Sequence, residues 1–397
     1  MRLLLVSTQH WTPAARLAMA LREAGAEVEA VSLWHSLIAR SAAPARQHKL
    51  RPWRKQADIA AAIRACRPDR VVPTDDRGAA LLASLHAEPD LREVVEASLG
   101  DARGYAVAGA KSAQMALAAR LGLPMPRTLP VPGLPALEAA LRAHGLPQVL
   151  KTDGSWGGAG VIVLRRMEEA PAAFARATAR PGLLAALKLA AWEGSSRPVF
   201  TRRHWRRHDP DLQEFVNGFP ANRAVLADRG RVLAGLSVEV LQAAGPTAPA
   251  TVIRVVEDAQ MAASAAAMVE ALGLSGLLGF DFVVEEGTGR RLLIEMNPRA
   301  TPICHLAARP GEGLGGAFAA WVAGRDPAAV PLPGPGTEIT LFPGEWLRDA
   351  SSPRLRQAWH DAPWNDPPLM RAYLGDAAGL DRFARRQRLF RKLTGRG

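Results

Sequence analysis

The 397-residue chain has only two cysteines, Cys66 and Cys304. Two thiols cannot build a disulfide framework or a cysteine-based zinc site, and their scarcity fits a reducing cytoplasm. For Cys304 a small buried side chain is a simpler reading than a nucleophile. The sequence also lacks any stretch near the roughly 18 uninterrupted apolar residues that a membrane span requires. Even the apolar run from Leu183 to Trp192 contains Lys188 and stops at Glu193-Gly194-Ser195. Nor do the first residues suit a secretory signal: Met1-Arg2-Leu3-Leu4-Leu5-Val6 is short, polar Ser7-Thr8-Gln9-His10 follow at once, and the segment reads as a first buried strand. A soluble, cytoplasmic protein is expected. There is no Gly-Lys-Ser/Thr, and the glycine-rich turn from Thr152 to Gly160 returns into a strand rather than a helix, so it is not a P-loop. No internal repeat is present.

What the chain does have is an ordinary globular apolar content, 48%, in a length that exceeds a single hydrophobic core, so roughly two or three domains are expected. Its net charge of +12 would attract polyanions of any kind. Many arginines are scattered through alanine-rich helical segments, the pattern of solvated faces, and specific nucleic-acid binding is not expected. Two basic clusters stand apart. Arg202-Arg203-His204-Trp205-Arg206-Arg207-His208 reads as a solvated face, with an acidic-substrate contact as the alternative. The segment from Arg382 to Lys392 surrounds Phe383, Leu389 and Phe390 with basic residues; it reads as a docking helix, with weak contact to an anionic membrane surface as the alternative.

Strand and helix signals alternate at the start: Leu3 to Val6, Pro13 to Ala24 with Ala14, Leu17, Ala18 and Leu21 on one face, Val28 to Leu33, Lys55 to Ala65, Arg70 to Pro73 and Arg77 to Leu85. This pattern predicts an open parallel sheet with covering helices. Asp75-Asp76 follow a strand end, where such sheets bind ligands, although a helix N-cap is the simpler role. Lys111 to Leu121 predicts a helix, and the proline-rich run from Pro124 to Pro135 a linker or domain edge. Val149 to Lys151 and Val161 to Leu164 then flank a glycine-rich turn as a β-hairpin. Helical stretches over Glu168 to Ala179 and Leu183 to Trp192 precede strands at Leu212 to Val216, Arg223 to Ala227, Val232 to Leu241 and Thr251 to Val255. A helix from Asp258 to Leu272 leads into a last hairpin, Leu277 to Glu285 and Arg291 to Met296, around Gly287 and Gly289. Beyond Gly324 the chain reads as proline-rich and less regular.

The last hairpin carries the chemistry. Asp281 lies mid-strand between two phenylalanines, and a buried ionised carboxylate needs a compensating partner. Glu295 and Asn297 are two residues apart on the adjoining strand and face one side. Three oxygen ligands with room for water and phosphate oxygens is how magnesium is held at a nucleotide site; the plainer alternative is an Arg299 salt bridge with a turn-capping Asn297. Lys151 ends a strand directly before Asp153-Gly154-Ser155-Trp156-Gly157-Gly158-Ala159-Gly160, whose backbone N–H groups can close over phosphates beside the ammonium. Arg254, apolar-flanked, needs a charge partner: a phosphate, an acceptor carboxylate, or Glu239 on a nearby strand. His305 reads as a core histidine, with a general base as the alternative.

Taken together, these motifs resemble the ATP-grasp superfamily over about Lys111 to Ala300. The resemblance rests on Lys111 opening a helix that ends Leu121-Gly122-Leu123-Pro124, Val149-Leu150-Lys151 with its glycine hairpin, Gln213-Glu214-Phe215-Val216-Asn217-Gly218, Gly279-Phe280-Asp281-Phe282 and Ile294-Glu295-Met296-Asn297-Pro298-Arg299, in that order. It implies an α/β and α+β fold class: an N-terminal open parallel-sheet domain (1–110), a two-subdomain ATP-grasp fold (111–330) with a mobile lid at about 125–215, and a C-terminal extension (331–397). It also implies that Lys111 and Lys151 contact ATP phosphates and that the hairpin holding Gly154, Ser155, Gly157 and Gly158 closes over them. Glu214, Phe215 and Val216 would border adenine, and Asn222 would take the place of the family's acidic ribose contact. Asp281, Glu295 and Asn297 would ligate Mg2+, with Mn2+ as a substitute, while Arg299 would neutralise charge on the transferred phosphoryl group or the bound substrate; Arg254, if its charge partner is a phosphate or an acceptor carboxylate, would join it. An aspartate at 281, where glutamate is commoner, would leave one metal loosely held.

The activity implied is that of an ADP-forming ligase, in which ATP turns a small-molecule carboxylate into an acyl phosphate and an amine or similar nucleophile displaces the phosphate. No biotin-attachment or glutamine-hydrolysing segment is evident, so a free amine or ammonia would be the nitrogen source. A small-molecule kinase and a non-catalytic ATP-binding regulatory module are the alternatives, and a homodimer is left open.

Overall fold

The computed structural model describes residues 1–9, 12–152, 161–179, 182–184, 209–245 and 248–375. The tip of the glycine hairpin with Gly154, Ser155, Gly157 and Gly158, most of the helix expected at 183–192, the basic cluster at 202–208 and the basic segment at 382–392 lie outside them.

The first sheet is built from β1 (Arg2–Ser7), β2 (Glu27–Ser32), β3 (Arg46–Lys49) and β4 (Arg70–Pro73), all parallel, in the order β3-β2-β1-β4. Between and after them run α1 (Thr12–Glu23), α2 (Leu37–Arg40), α3 (Lys55–Cys66), α4 (Asp76–Ser84), α5 (Arg92–Leu99), α6 (Tyr105–Ala108) and α7 (Lys111–Arg120). Leu3, Leu4, Leu5 and Val6 are all fully buried, because side chains on both faces of the central strand meet helices. That is why β1 reads as an unbroken apolar run rather than an alternating one. Asp75 is the N-cap of α4: its Oδ1 accepts from the Gly78 N–H at 2.8 Å, and the Thr8 N–H and hydroxyl also donate to it. The aspartate therefore ties the end of β4 to the end of β1.

A second, four-stranded antiparallel sheet has the order β5-β8-β6-β7, from β5 (Thr128–Pro130), β6 (Gln148–Lys151), β7 (Val161–Leu164) and β8 (Asp211–Glu214). The expected hairpin is β6 with β7, and Lys151 pairs with Val161 as the last pair before the connecting segment. The proline-rich run is not simply a linker: it supplies β5, an edge strand that tolerates Pro130. Two helices, α8 (Leu134–His144) and α9 (Ala170–Thr178), bury Leu137, Leu141 and Phe174 against Leu150, Leu164 and Leu212.

The third sheet has seven strands: β9 (Gly218–Asp228), β10 (Arg231–Ala243), β11 (Ala250–Val256), β12 (Gly276–Glu285), β13 (Arg291–Asn297), β14 (Glu338–Thr340) and β15 (Trp359–His360), in the order β13-β12-β9-β10-β11-β14-β15. Strand alternation sorts its residues into two cores. Ala221, Val225, Phe280 and Phe282 pack under α10 (Ala259–Leu272) with Met261, Ala265 and Met268. Ala224, Leu226, Leu236, Val238 and Val255 pack on the opposite face with Leu17 of α1 and with Leu314 and Phe318 of α11 (Gly313–Val322). Each fully buried leucine or phenylalanine here contributes about 1.5–3 kcal/mol. The stretch beyond Gly324 is more regular than its prolines suggest, since β14 and β15 extend this sheet, with α12 (Gly344–Arg348) and α13 (Arg354–Gln357) between them. Among the described residues no helix is long and apolar enough to cross a membrane.

Gly279 in β12 fixes how closely the chain after β13 can return. A Cβ at this position would lie 2.1 Å from Thr301 Cγ2. Gly279→Val should therefore lower stability by about 1–3 kcal/mol through overpacking, read as a lower midpoint in urea. An unchanged midpoint would mean that the 298–301 segment is not held against the strand.

Candidate functional site

Strand register assembles the acidic site. Asp281 of β12 stands directly opposite Glu295 of β13 on one side and Asn222 of β9 on the other, so all three side chains emerge on the same face. The pairing shifts by one residue between Asp281 and Phe282, so that Phe282 faces Leu293 and Ile294 is the extra residue of a bulge. In a regular strand Leu293 and Glu295 would share a face. The bulge lets Leu293 enter the core beside Phe282 while Glu295 turns to Asp281.

Two amides hold the aspartate. Asn222 Nδ2 donates to Asp281 Oδ1 at 2.6 Å and Asn297 Nδ2 donates to Oδ2 at 3.1 Å. Burial still pushes the Asp281 carboxyl above its ordinary pKa, with these amides, Arg299 and Lys111 opposing the rise. Glu295 is likewise pushed up by burial, and Lys111 opposes this from 3.0 Å, Nζ to Oε1. Asn222 thus holds Asp281 directly.

Lys111 is the first residue of α7, and the helix is held to β13 by Gln114. From the facing sheet, Lys151 at the end of β6 feels the same carboxylates. Its pKa is lowered to about 8, first by burial and also by Lys111, while Glu295, Asp281 and Asp211 act in the other direction. Arg299 closes the far side. Its Nε and Nη2 donate to Asp76 Oδ1 and Oδ2 at 2.8 and 3.2 Å, and Nη2 also donates to Asn297 Oδ1 at 3.0 Å. Burial alone would lower the Arg299 pKa, but the Asp76 pair outweighs it and the net shift is upward. The Ala300 N–H donates to Pro73 O at 3.1 Å, so the first sheet is fastened to the end of β13 by backbone as well as by charge.

Glu214 is the last residue of β8, and Phe215 and Val216 begin the connection from β8 to β9, between the second and third sheets. Glu214 is exposed and accepts from the Arg127 N–H at 3.3 Å, while Phe215 lies under the Arg165 guanidinium at 5.6 Å. Glu214 is opposite Gln148 and Lys151 is opposite Asp211, so these two candidates lie three residues, about 10 Å, apart along the sheet.

Arg254 is not brought to this site. It is opposite Glu239, one residue out of step with the row containing Asp281 and Asn222, and its side chain therefore leaves the other face of the sheet. There its Nη2 lies 2.7 Å from Glu338 Oε1, and Glu338 also pairs with Arg354. The expected partner Glu239 instead lies 3.7 Å from Arg291. His305 is a core residue: its Nε2 is 2.8 Å from Asp361 Oδ2, and burial lowers its pKa. Cys304 is fully buried and burial raises its pKa.

Asp76, Asn222 and Gln114 complete the arrangement; the first two are among the residues singled out in the sequence, whereas Gln114 carries no local signal. The doubled acid at 75–76 was visible, but the arginine that meets it is 223 positions away. For magnesium, the donor set fits: two carboxylates and an amide oxygen are hard ligands, and a desolvated Asp281 gains most from a cation. Among the described residues no group of three or more His, Cys, Asp or Glu side chains is placed to hold a metal ion by itself. Further coordination would have to come from phosphate oxygens and water, as at nucleotide sites.

No protein-family model matches the chain, and no curated protein matches it. Solved structures do. The chain is similar to N5-carboxyaminoimidazole ribonucleotide synthetase from Thermus thermophilus, with 18% identity over 85% of this chain and 81% of that one at a TM-score of 0.60. Phosphoribosylglycinamide synthetase from Anaerococcus prevotii matches at 14% identity, 85% and 79% coverage and a TM-score of 0.57. The biotin carboxylase domain of Hydrogenobacter thermophilus 2-oxoglutarate carboxylase, solved as a dimer with MgADP, ADP and bicarbonate, matches at 15% identity, 84% and 71% coverage and a TM-score of 0.57. The chain has the ATP-grasp fold, preceded by a parallel α/β layer.

Two measurements probe the site as described. Because Lys151 is depressed to about 8, it is charged below that pH and largely neutral above it. A polyphosphate anion bound beside it would raise its pKa again, so binding of such an anion above pH 8 would take up a proton and weaken as pH rises. Calorimetry at pH 8.5 in buffers of different ionisation enthalpy should detect that uptake, and Lys151→Met should abolish it. Arg254→Met, on the opposite face, should leave the affinity for that anion unchanged in the same assay; a drop of tenfold or more would place Arg254 in the site after all.

Proposed function

We propose that this chain is an ADP-forming ligase that binds magnesium-ATP between the second and third sheets and activates a small-molecule carboxylate for attack by an amine or a similar nucleophile. One observation carries the reading: two half-buried carboxylates, Asp281 and Glu295, are gathered with Lys111, Lys151 and Arg299, although these residues come from two sheets, a helix and the turn after β13. Isolated charge pairs do not need such a convergence. Phosphoryl transfer does, because its catalysis is positioning and charge neutralisation more than covalent chemistry.

In this reading Lys111 and Lys151 hold the phosphates, and the connection at Glu214, Phe215 and Val216 borders the base. Asp281, Glu295 and the Asn297 amide hold Mg2+, which when bound neutralises charge on the phosphate oxygens. Mn2+ is a chemically adequate substitute. Arg299 orients the carboxylate that accepts the phosphoryl group. An acceptor carboxylate oxygen attacks the γ-phosphorus as the bond to ADP breaks; the amine nitrogen then attacks the acyl carbon, phosphate leaves, and the amine proton is released. The second sheet, within residues 125–215, acts as the lid, the glycine hairpin closing over the phosphates. Residues 1–110 and 331–397 support the 111–330 core, and the acceptor binds beside the Asp76–Arg299 pair. The neighbours' substrates belong to them and do not identify this acceptor.

Glu295→Gln keeps the shape of the side chain and removes its charge. ADP release should fall by at least about a hundredfold, while chemical unfolding stays cooperative. Turnover equal to that of the unmodified protein would overturn the assignment. Hydroxylamine added with ATP and pooled carboxylates should yield a hydroxamate and ADP; phosphorylated product without hydroxamate would instead establish a kinase.

A further inference from the structure

We infer that Gln114 is a positioning residue that sets the carboxylate strand in register with Lys111, an inference that rests on the magnesium-nucleotide reading of the site. β13 is the last strand of its sheet, so the outward backbone groups of Met296, between Glu295 and Asn297, have no neighbouring strand. The Gln114 amide takes that strand's place. Its Oε1 accepts from the Met296 N–H at 3.0 Å, and its Nε2 donates to Met296 O at 2.9 Å and to Ala108 O at 2.7 Å. The side chain is 2% exposed, so each of these bonds is made away from competing water.

The same helix presents Lys111 three residues earlier, on the same face, with its ammonium 3.0 Å from Glu295. Met115, Leu117 and Ala118 bury the helix against its surroundings, but apolar contact is non-directional and does not choose the rotation. A slip of one residue would turn α7 by about 100° and shift it by about 1.5 Å, carrying Lys111 away from Glu295. The paired amide bonds to Met296 exclude that slip. A further tie, from the Leu293 N–H to Pro124 O at 2.8 Å, holds the chain beyond α7 to the same edge.

The alternative is that Gln114 merely satisfies backbone groups and contributes stability alone. Magnesium dependence separates the two. ADP binding is followed by calorimetry across a magnesium titration for the unmodified full chain, Gln114→Leu and Gln114→Glu. Gln114→Leu should raise the magnesium concentration for half-maximal binding about tenfold, the scale of losses from disturbed outer partners of a metal ligand. Gln114→Glu should recover near-normal behaviour at the acidic end of the range, where its protonated carboxyl offers the same acceptor and donor to Met296, and should lose it as pH rises. If Gln114→Leu does not fold, the pH profile of Gln114→Glu relative to the unmodified chain carries the test. A lowered unfolding midpoint with unchanged magnesium dependence in Gln114→Leu, or a Gln114→Glu profile parallel to the unmodified one, would overturn the inference. Absence of magnesium-dependent ADP binding by the unmodified chain would instead refute the nucleotide reading.

Discussion

Asp281 places an ionisable group in a half-buried position largely surrounded by protein, and much of the polar architecture follows from the cost of that placement. A buried carboxylate must be protonated, hydrogen-bonded or paired with positive charge. Here Asn222 and Asn297 supply the hydrogen bonds, with Lys111 and Arg299 supplying charge at longer range. Burial still raises its pKa, so a divalent cation would relieve a penalty that the protein alone leaves partly standing. The same logic reaches outward, because Asn297 is held by Arg299 and Arg299 by Asp76.

That chain of contacts gives the first sheet a part in the site. Its strand ends carry Asp75 and Asp76 side by side, with different work for each. Asp75 caps α4 and binds Thr8 within its own layer, whereas Asp76 reaches across to the arginine beyond β13. A ligand entering near Arg299 would meet both layers, so acceptor recognition would depend on how they are docked. The backbone bond from Ala300 to Pro73 limits how far they can separate without breaking a buried contact.

The edge of β13 is the other structural economy. An unpaired edge invites another chain to pair with it. Gln114 and Pro124 occupy its hydrogen-bonding groups from one side, closing the edge and locating α7 at once. Stability and site geometry then share the same bonds, and the bulge at Ile294 joins core to site in a similar way. It lets Leu293 pack with Phe282 while Glu295 turns to Asp281.

The sequence by itself determined the parallel layer, the β6–β7 hairpin and the pairing of the strands that carry Asp281 and Glu295, because apolar periodicity and turn residues are local properties. It also showed Glu295 and Asn297 sharing a face, which follows from a two-residue repeat. Only the tertiary structure decided that Arg254 leaves the opposite face, that Asn222 serves Asp281, and that Asp76 meets Arg299. These depend on register between strands and on contacts between residues far apart in the chain. Periodicity within one segment shows which residues share a side; it cannot show what stands opposite them.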